Sequence, residues 1–209
     1  MKKLRYFILL GSVLFLLSAC ESGGKFNIIN QTSYPIYASV DGEPVVTIPA
    51  QTNHAFNIDT DSQSFLTGEV THTVPVHVVG ETFSLYDSAE SQYVDHTVAT
   101  VRAGRTTNAF LKPNRASIKI VNNRPEKIYL FEISQINPTT NFVVATVQRD
   151  IPTGTSYWYR VKYASVQDNF TYRLEIYLEG EENPLTYFAP TVLGNDEQWV
   201  LQVDPPEEI

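Results

Sequence analysis

The chain has 209 residues, 43% of them hydrophobic and 12% aromatic, with a formal net charge of −8. With 23 acidic residues against 15 basic ones it lacks the positive surface that nucleic acid or anionic lipid headgroups require, so no nucleic-acid partner is expected. A single cysteine excludes an intrachain disulfide.

The first element in the chain is a targeting segment. Lys2, Lys3 and Arg5 precede an apolar run from Tyr6 to Leu17, broken only by Gly11 and Ser12. The run falls short of the roughly 20 residues that a membrane span needs. Its length and charge order are those of a secretory signal peptide. It ends in Leu17-Ser18-Ala19-Cys20. This stretch resembles the lipobox of bacterial lipoproteins, in which a dedicated signal peptidase reads the three residues before the cysteine. The resemblance implies cleavage before Cys20, so that residues 1–19 are a signal peptide and Cys20 is a lipidation site. It also implies a diacylglycerol thioether on the Cys20 sulfur and a further acyl chain, of the palmitate kind, on the new amino group. An ordinary signal peptide is the alternative, but it leaves the position of the one cysteine unexplained. Acyl chains anchor without spanning, each buried methylene contributing about 0.8 kcal/mol. The membrane is therefore an expected partner through the N-terminal lipid. Glu21 is not the aspartate that retains some lipoproteins at the inner membrane, which by the same resemblance implies the outer membrane. Residues 1–19 carry three basic and no acidic residues, so the mature chain has 12 basic against 23 acidic residues and a net charge of −11.

After Cys20 a tether occupies residues 20–24. The remainder is rich in Val, Ile, Thr, Tyr and Phe, with short alternating stretches between turn residues, and reads as all-β. Strands are expected near 25–30, 35–41, 44–48, 53–59, 70–79, 96–102 and 105–111. A second set falls near 117–122, 127–134, 142–149, 155–163, 170–179, 185–189 and 198–203. Turns such as DGEP, PAQT, RAGR and PTGT separate them.

The two sets are collinear. IPAQTNHAFNI (48–58) aligns with IPTGTSYWYRV (151–161), FNIIN (26–30) with IKIVN (118–122), VPVHVVGE (74–81) with LEIYLEGE (174–181), and RTTNAFLKP (105–113) with EQWVLQVDP (197–205). The offset runs 92, 103, 100 and 92. It places one insertion near QINPTTNF (135–142) and another near SLYDSAESQYVDH (84–96). A tandem duplication follows, with domains at 25–113 and 117–205, a short KPNRA join holding them end to end, and a tail at 206–209. Units of about 90 residues are too long for a solenoid repeat and suit a seven-stranded sandwich. IYASVDGEP (36–44) followed by VRAGRTTNAFL (101–111) resembles small envelope β-domains of the PEGA or transthyretin-like kind. That resemblance implies two Ig-like or transthyretin-like β-sandwiches.

The aromatic triplet Tyr157-Trp158-Tyr159 divides between two faces, because side chains alternate along a strand. Thr155, Tyr157, Tyr159, Val161 and Tyr163 are expected inward, as Phe56 and Ile58 are in the sister strand. Trp158 and Arg160 then point outward. On the next strand Arg173 and Tyr177 point outward, and the four are expected to share one solvent-facing sheet. One reading makes Trp158 a packing residue at the domain junction or on an arginine. The other makes Trp158, Arg160, Arg173 and Tyr177 a contact for a protein, glycan or solute.

No catalytic constellation is legible: the chain has no nucleophile elbow, zinc-protease helix motif, phosphate loop or dinucleotide fingerprint, and no enzyme activity or cofactor is expected. His54, His72, His77 and His96 all fall in the first repeat. His72 and His77 are five apart on one strand and face opposite sides, so no metal site is expected from that strand alone. Asp59, Asp61 and Glu69 read as a solvated turn in preference to a calcium loop. The expected function is that of a non-enzymatic, lipid-anchored cell-envelope protein. It presents loops or sheet edges to a protein partner, with glycan or solute binding on the outer sheet of the second repeat as the alternative.

Overall fold

Alternation of β-branched and aromatic residues with polar ones builds sixteen strands and no helix among the described residues of the computed structural model, which are 23–60, 71–165, 167–168 and 170–206. Leu17, Ser18, Ala19, Cys20, Glu21, Asp61 and Glu69 lie outside the described residues.

The chain divides into two units. The first takes in residues up to 31, 35–79 and 85–111; the second takes in 32–34, 80–84 and everything from 112 onward. In the first unit β1 (Gly24–Asn30), β2 (Ile36–Val40), β3 (Val46–Ile48), β4 (Asn53–Ile58) and β5 (Thr71–Gly80) come first. They are followed by β6 (Leu85–Asp87), β7 (Gln92–Val94), β8 (His96–Arg102) and β9 (Thr106–Leu111). One sheet has the order β4-β1-β9, and another the order β3-β2-β5-β8. β1 runs antiparallel to β4 and parallel to β9. Phe26, Ile28, Phe56 and Ile58 are buried from the first sheet, and Ile36, Ala38, Val74 and Val76 from the second. Burying one such aliphatic or aromatic side chain is worth about 1.5–3 kcal/mol.

The second unit repeats this plan. Its strands are β10 (Ala116–Asn122), β11 (Ile128–Ile136), β12 (Asn141–Ile151), β13 (Ser156–Val161), β14 (Thr171–Leu178), β15 (Leu185–Phe188) and β16 (Gln198–Val203). The sheet orders are β13-β10-β16 and β12-β11-β14-β15, with β10 antiparallel to β13 and parallel to β16. Strand by strand this is the topology of the first unit, and the fold is two β-sandwiches in tandem.

The shared topology is pinned by one matched corner. Asn30 ends β1 with its side chain buried, and its Nδ2 donates to the carbonyls of Ile48 at 3.1 Å and Pro49 at 3.0 Å. Asn122 ends β10 and donates to the carbonyls of Ile151 and Glu126, both at 2.9 Å. Beside each asparagine a threonine hydroxyl caps a proline carbonyl: Thr52 to Pro49 at 2.8 Å and Thr155 to Pro152 at 2.7 Å. The third residue of each turn has positive φ, +56° at Gln51 and +72° at Gly154. Only the second copy uses the residue that adopts this region without a Cβ clash.

Several expectations need correction. The insertion at 84–96 forms a small hairpin, β6–β7, closed by an edge-to-face pair of Tyr86 and Tyr93 at 5.3 Å. β1 begins at Gly24, inside the stretch read as tether; a Cβ there would sit 2.6 Å from the Arg102 carbonyl oxygen, so the close approach of β1 to β8 requires glycine. Tyr157 and Tyr159 pack on the second core as expected, but β13 ends at Val161 and Tyr163, expected inward, is exposed.

Candidate functional site

β13 supplies the first patch. Trp158 lies opposite Lys119 of β10, and Lys119 lies opposite Val200 of β16. The Arg160 guanidinium carbon is 5.9 Å from the centroid of the Trp158 ring, and its Nη1 donates to the carbonyl of Phe83 at 3.2 Å. A half-buried indole flanked by two cations is an electrostatically favourable arrangement, worth about 0.5–1 kcal/mol at an accessible site.

β14 supplies the second patch, on the other sheet. Arg173 Nη2 meets Glu175 Oε1 at 3.2 Å, and Tyr129 and Tyr177 form an edge-to-face pair with centroids 6.4 Å apart. Register sets Glu132 directly opposite Glu175 and Phe188 opposite Arg173. Thr146 donates to Glu132 at 3.3 Å. Desolvation first, and then the charges of Glu132 and Glu175, raise the Tyr177 phenol above its ordinary range, so it stays a neutral donor at physiological pH.

The expected single platform therefore does not form. Trp158 and Arg160 lie in the sheet β13-β10-β16, whereas Arg173 and Tyr177 lie in β12-β11-β14-β15. The chain crosses from one sheet to the other between β13 and β14, so outward residues on these consecutive strands face away on opposite sides of the sandwich. The acidic pair Glu132/Glu175 was not foreseen, because the cross-strand register that creates it is absent from the spacing of the two residues.

A third feature is the edge strand β12. Its sister β3 has three residues, whereas β12 has eleven. The β11–β12 register shifts between Ile133 and Ser134, where Ala145 and Val143 are the partners, so Val144 is the extra residue of a bulge. At and beside the bulge Phe142, Val143 and Val144 are 50%, 51% and 42% exposed. No charge lies among residues 141–144 to guard this end of the edge.

The histidines separate in the same way. His54 stacks edge-to-face on Phe56 at 4.8 Å, and His72 lies opposite Val101. His77 lies opposite His96, and both line a cleft of 590 Å³ with Ser39, Pro75, Asp87 and Val98. Among the described residues no group of three or more His, Cys, Asp and Glu is arranged to hold a metal ion.

No protein-family model matches the chain, and no curated protein matches it. Solved structures do. The TIE protein of Bacillus anthracis aligns with a TM-score of 0.31 and 12% identity over 88% of this chain, which spans 34% of that protein's length. A candidate cell adhesion protein of Bacteroides ovatus aligns with a TM-score of 0.36 and 11% identity, over 88% of this chain and 92% of that one. The tip fimbrial protein Mfa3 of Porphyromonas gingivalis aligns with a TM-score of 0.35 and 7% identity, over 90% of this chain and 96% of that one.

Proposed function

We propose that the protein is a non-enzymatic cell-envelope lipoprotein, held at the outer membrane through acylated Cys20, whose β-sandwich units bind a protein partner. The targeting segment supports the anchor, and the tandem sandwiches support a binding role. One observation carries the choice of surface: three consecutive apolar residues, Phe142, Val143 and Val144, stand exposed on the longest edge strand. Exposed apolar and aromatic side chains at a strand edge are favourable sites for burial by a partner. The partner contributes an apolar segment that packs on Phe142 and Val144 beside the edge of β12.

The test is a photo-crosslinking side chain at Asn141 in the source bacterium. A defined protein adduct is expected, and it disappears when Phe142→Lys and Val144→Lys are introduced together. The same substitutions leave folding stability within about 0.5 kcal/mol, because these positions are on the surface. An adduct that survives the two lysines, or that forms equally from a probe at Val46 on β3, overturns the reading.

A second reading, glycan or solute capture by the second unit, is favoured by the Tyr129–Tyr177 pair beside the Arg173–Glu175 ion pair. It requires Tyr177→Ala or Trp158→Ala to abolish binding in a glycan-array or solute titration while the melting temperature holds. Loss of folding in both variants assigns these aromatics to packing.

A further inference from the structure

We infer that His77 and His96 form a two-ligand clamp for a divalent transition metal of the copper or zinc type, in the cleft bordered by β5, β8 and the β6–β7 hairpin. The Val78 N–H donates to the Asp95 carbonyl at 2.8 Å, just past the end of the β5–β8 ladder, so these two residues take the place of a hydrogen-bonded pair. Such pairs alternate with non-hydrogen-bonded ones, in which the Cα atoms approach to about 4.5 Å instead of about 5.5 Å and the side chains lie closest. His77 and His96 are the next pair along and so take the closer spacing. Val74, Val76 and Val78 are buried, so alternation turns Pro75 and His77 outward, and His96 and Val98 are exposed on the same face.

Two imidazoles projecting in parallel from adjacent Cβ positions can bracket one ion at the roughly 2.0–2.1 Å that metal–nitrogen bonds require. Imidazole nitrogen suits copper, zinc and nickel and does not suit calcium or magnesium. Pro75 and Val98 supply apolar walls. Asp87 lines the cleft too, but its Oδ1 accepts the N–H groups of Ala89 at 2.9 Å and Glu90 at 3.4 Å and is held in its own turn. The remaining coordination positions therefore belong to water or to an incoming donor. A site with two protein ligands is one for reversible capture, unlike the four-ligand sites that hold folds together.

The experiment titrates the full chain in detergent with Cu²⁺ alone, following affinity by calorimetry and ligation by electron paramagnetic resonance. One tight site per chain with two-nitrogen coupling is expected. His77→Ala and His96→Ala each weaken it at least about tenfold, because each removes the chelate and with it the high effective concentration of the second ligand. The double variant, which loses the remaining single imidazole as well, binds more weakly than either single one. His54→Ala, His72→Ala and Cys20→Ser leave the affinity unchanged, and circular dichroism of every metal-free variant matches the parent. Retention of parent affinity in His77→Ala or His96→Ala, or an equal loss in His72→Ala, overturns the assignment.

Discussion

Asn122→Ala is the most informative single perturbation. The side chain is fully buried and makes three hydrogen bonds: Nδ2 donates to the carbonyls of Ile151 and Glu126, and Oδ1 accepts the Arg124 N–H at 3.0 Å. Alanine strands two carbonyls and one N–H without that partner. At about 1 kcal/mol or more for each buried group left unsatisfied, the loss is about 3–5 kcal/mol. For a unit of this size each kcal/mol moves the melting temperature by about 4–8 °C, so a fall of at least about 12 °C is expected. The assay can be confined to the affected unit, because both tryptophans, Trp158 and Trp199, belong to the second one. Urea unfolding followed by tryptophan fluorescence should show a lower midpoint with an unchanged slope. Asn122→Asp keeps the size and the Oδ1 acceptor but turns an acceptor towards two carbonyls, and should be at least as damaging. Asn30→Ala should leave the fluorescence transition in place while destabilising the first unit by circular dichroism. A cost below about 1 kcal/mol for Asn122→Ala, or a tolerated Asn122→Asp, refutes the reasoning that this residue ties strand to corner.

Three further outcomes are expected. Burial pushes the Tyr172 phenol well above its ordinary value of 10.0, and its hydroxyl donates to the Lys162 carbonyl at 2.6 Å. The unfolded chain releases this proton first, so the contribution is full below about pH 10 and is lost as pH rises beyond it. Tyr172→Phe should cost about 1 kcal/mol at pH 7 and flatten the alkaline decline in urea midpoint, leaving the shares of Tyr34, Tyr177 and Tyr187, which desolvation also raises. Gln51→Gly should stabilise the first unit by about 0.5–1 kcal/mol and Gly154→Gln should destabilise the second by a similar amount, each read from chemical denaturation. Cys20→Ser should move the protein from the membrane to the soluble fraction and abolish metabolic labelling with palmitate. Persistence in the membrane refutes the anchor.

Much of the fold was legible because strand signals are local. Alternation located Tyr157, Tyr159 and Val161 on the inward face of their strand, and all three pack on the second core. The Asp41-Gly42 turn is closed by the Glu43 N–H to the Val40 carbonyl at 3.0 Å, and the repeated Ile-Pro-x-x-Thr corner marked equivalent positions in both units. The β6–β7 hairpin escaped because its short strands lie in the stretch read as an insertion, with no counterpart in the second repeat to mark them. The sites were illegible for a different reason. Spacing shows which way a side chain points within its strand, but it does not show which sheet the strand joins or which residue lies across from it. Trp158 and Tyr177 were separated by sheet membership, and His77 and His96, nineteen positions apart, were joined by register.

The parallel pairing of first and last strands has a mechanical consequence. Six residue pairs join β1 to β9, and six join β10 to β16. A pull on the start of β1 and the end of β9 drags two parallel strands in opposite directions along their length. Every hydrogen bond of the ladder is then loaded at once, in shear, instead of being peeled open one at a time. Forced unfolding is governed by the rate of crossing that barrier, not by equilibrium stability. A chain fixed at its N-terminus and loaded at its far end would thus present two shear clamps in series, a construction suited to bearing tension.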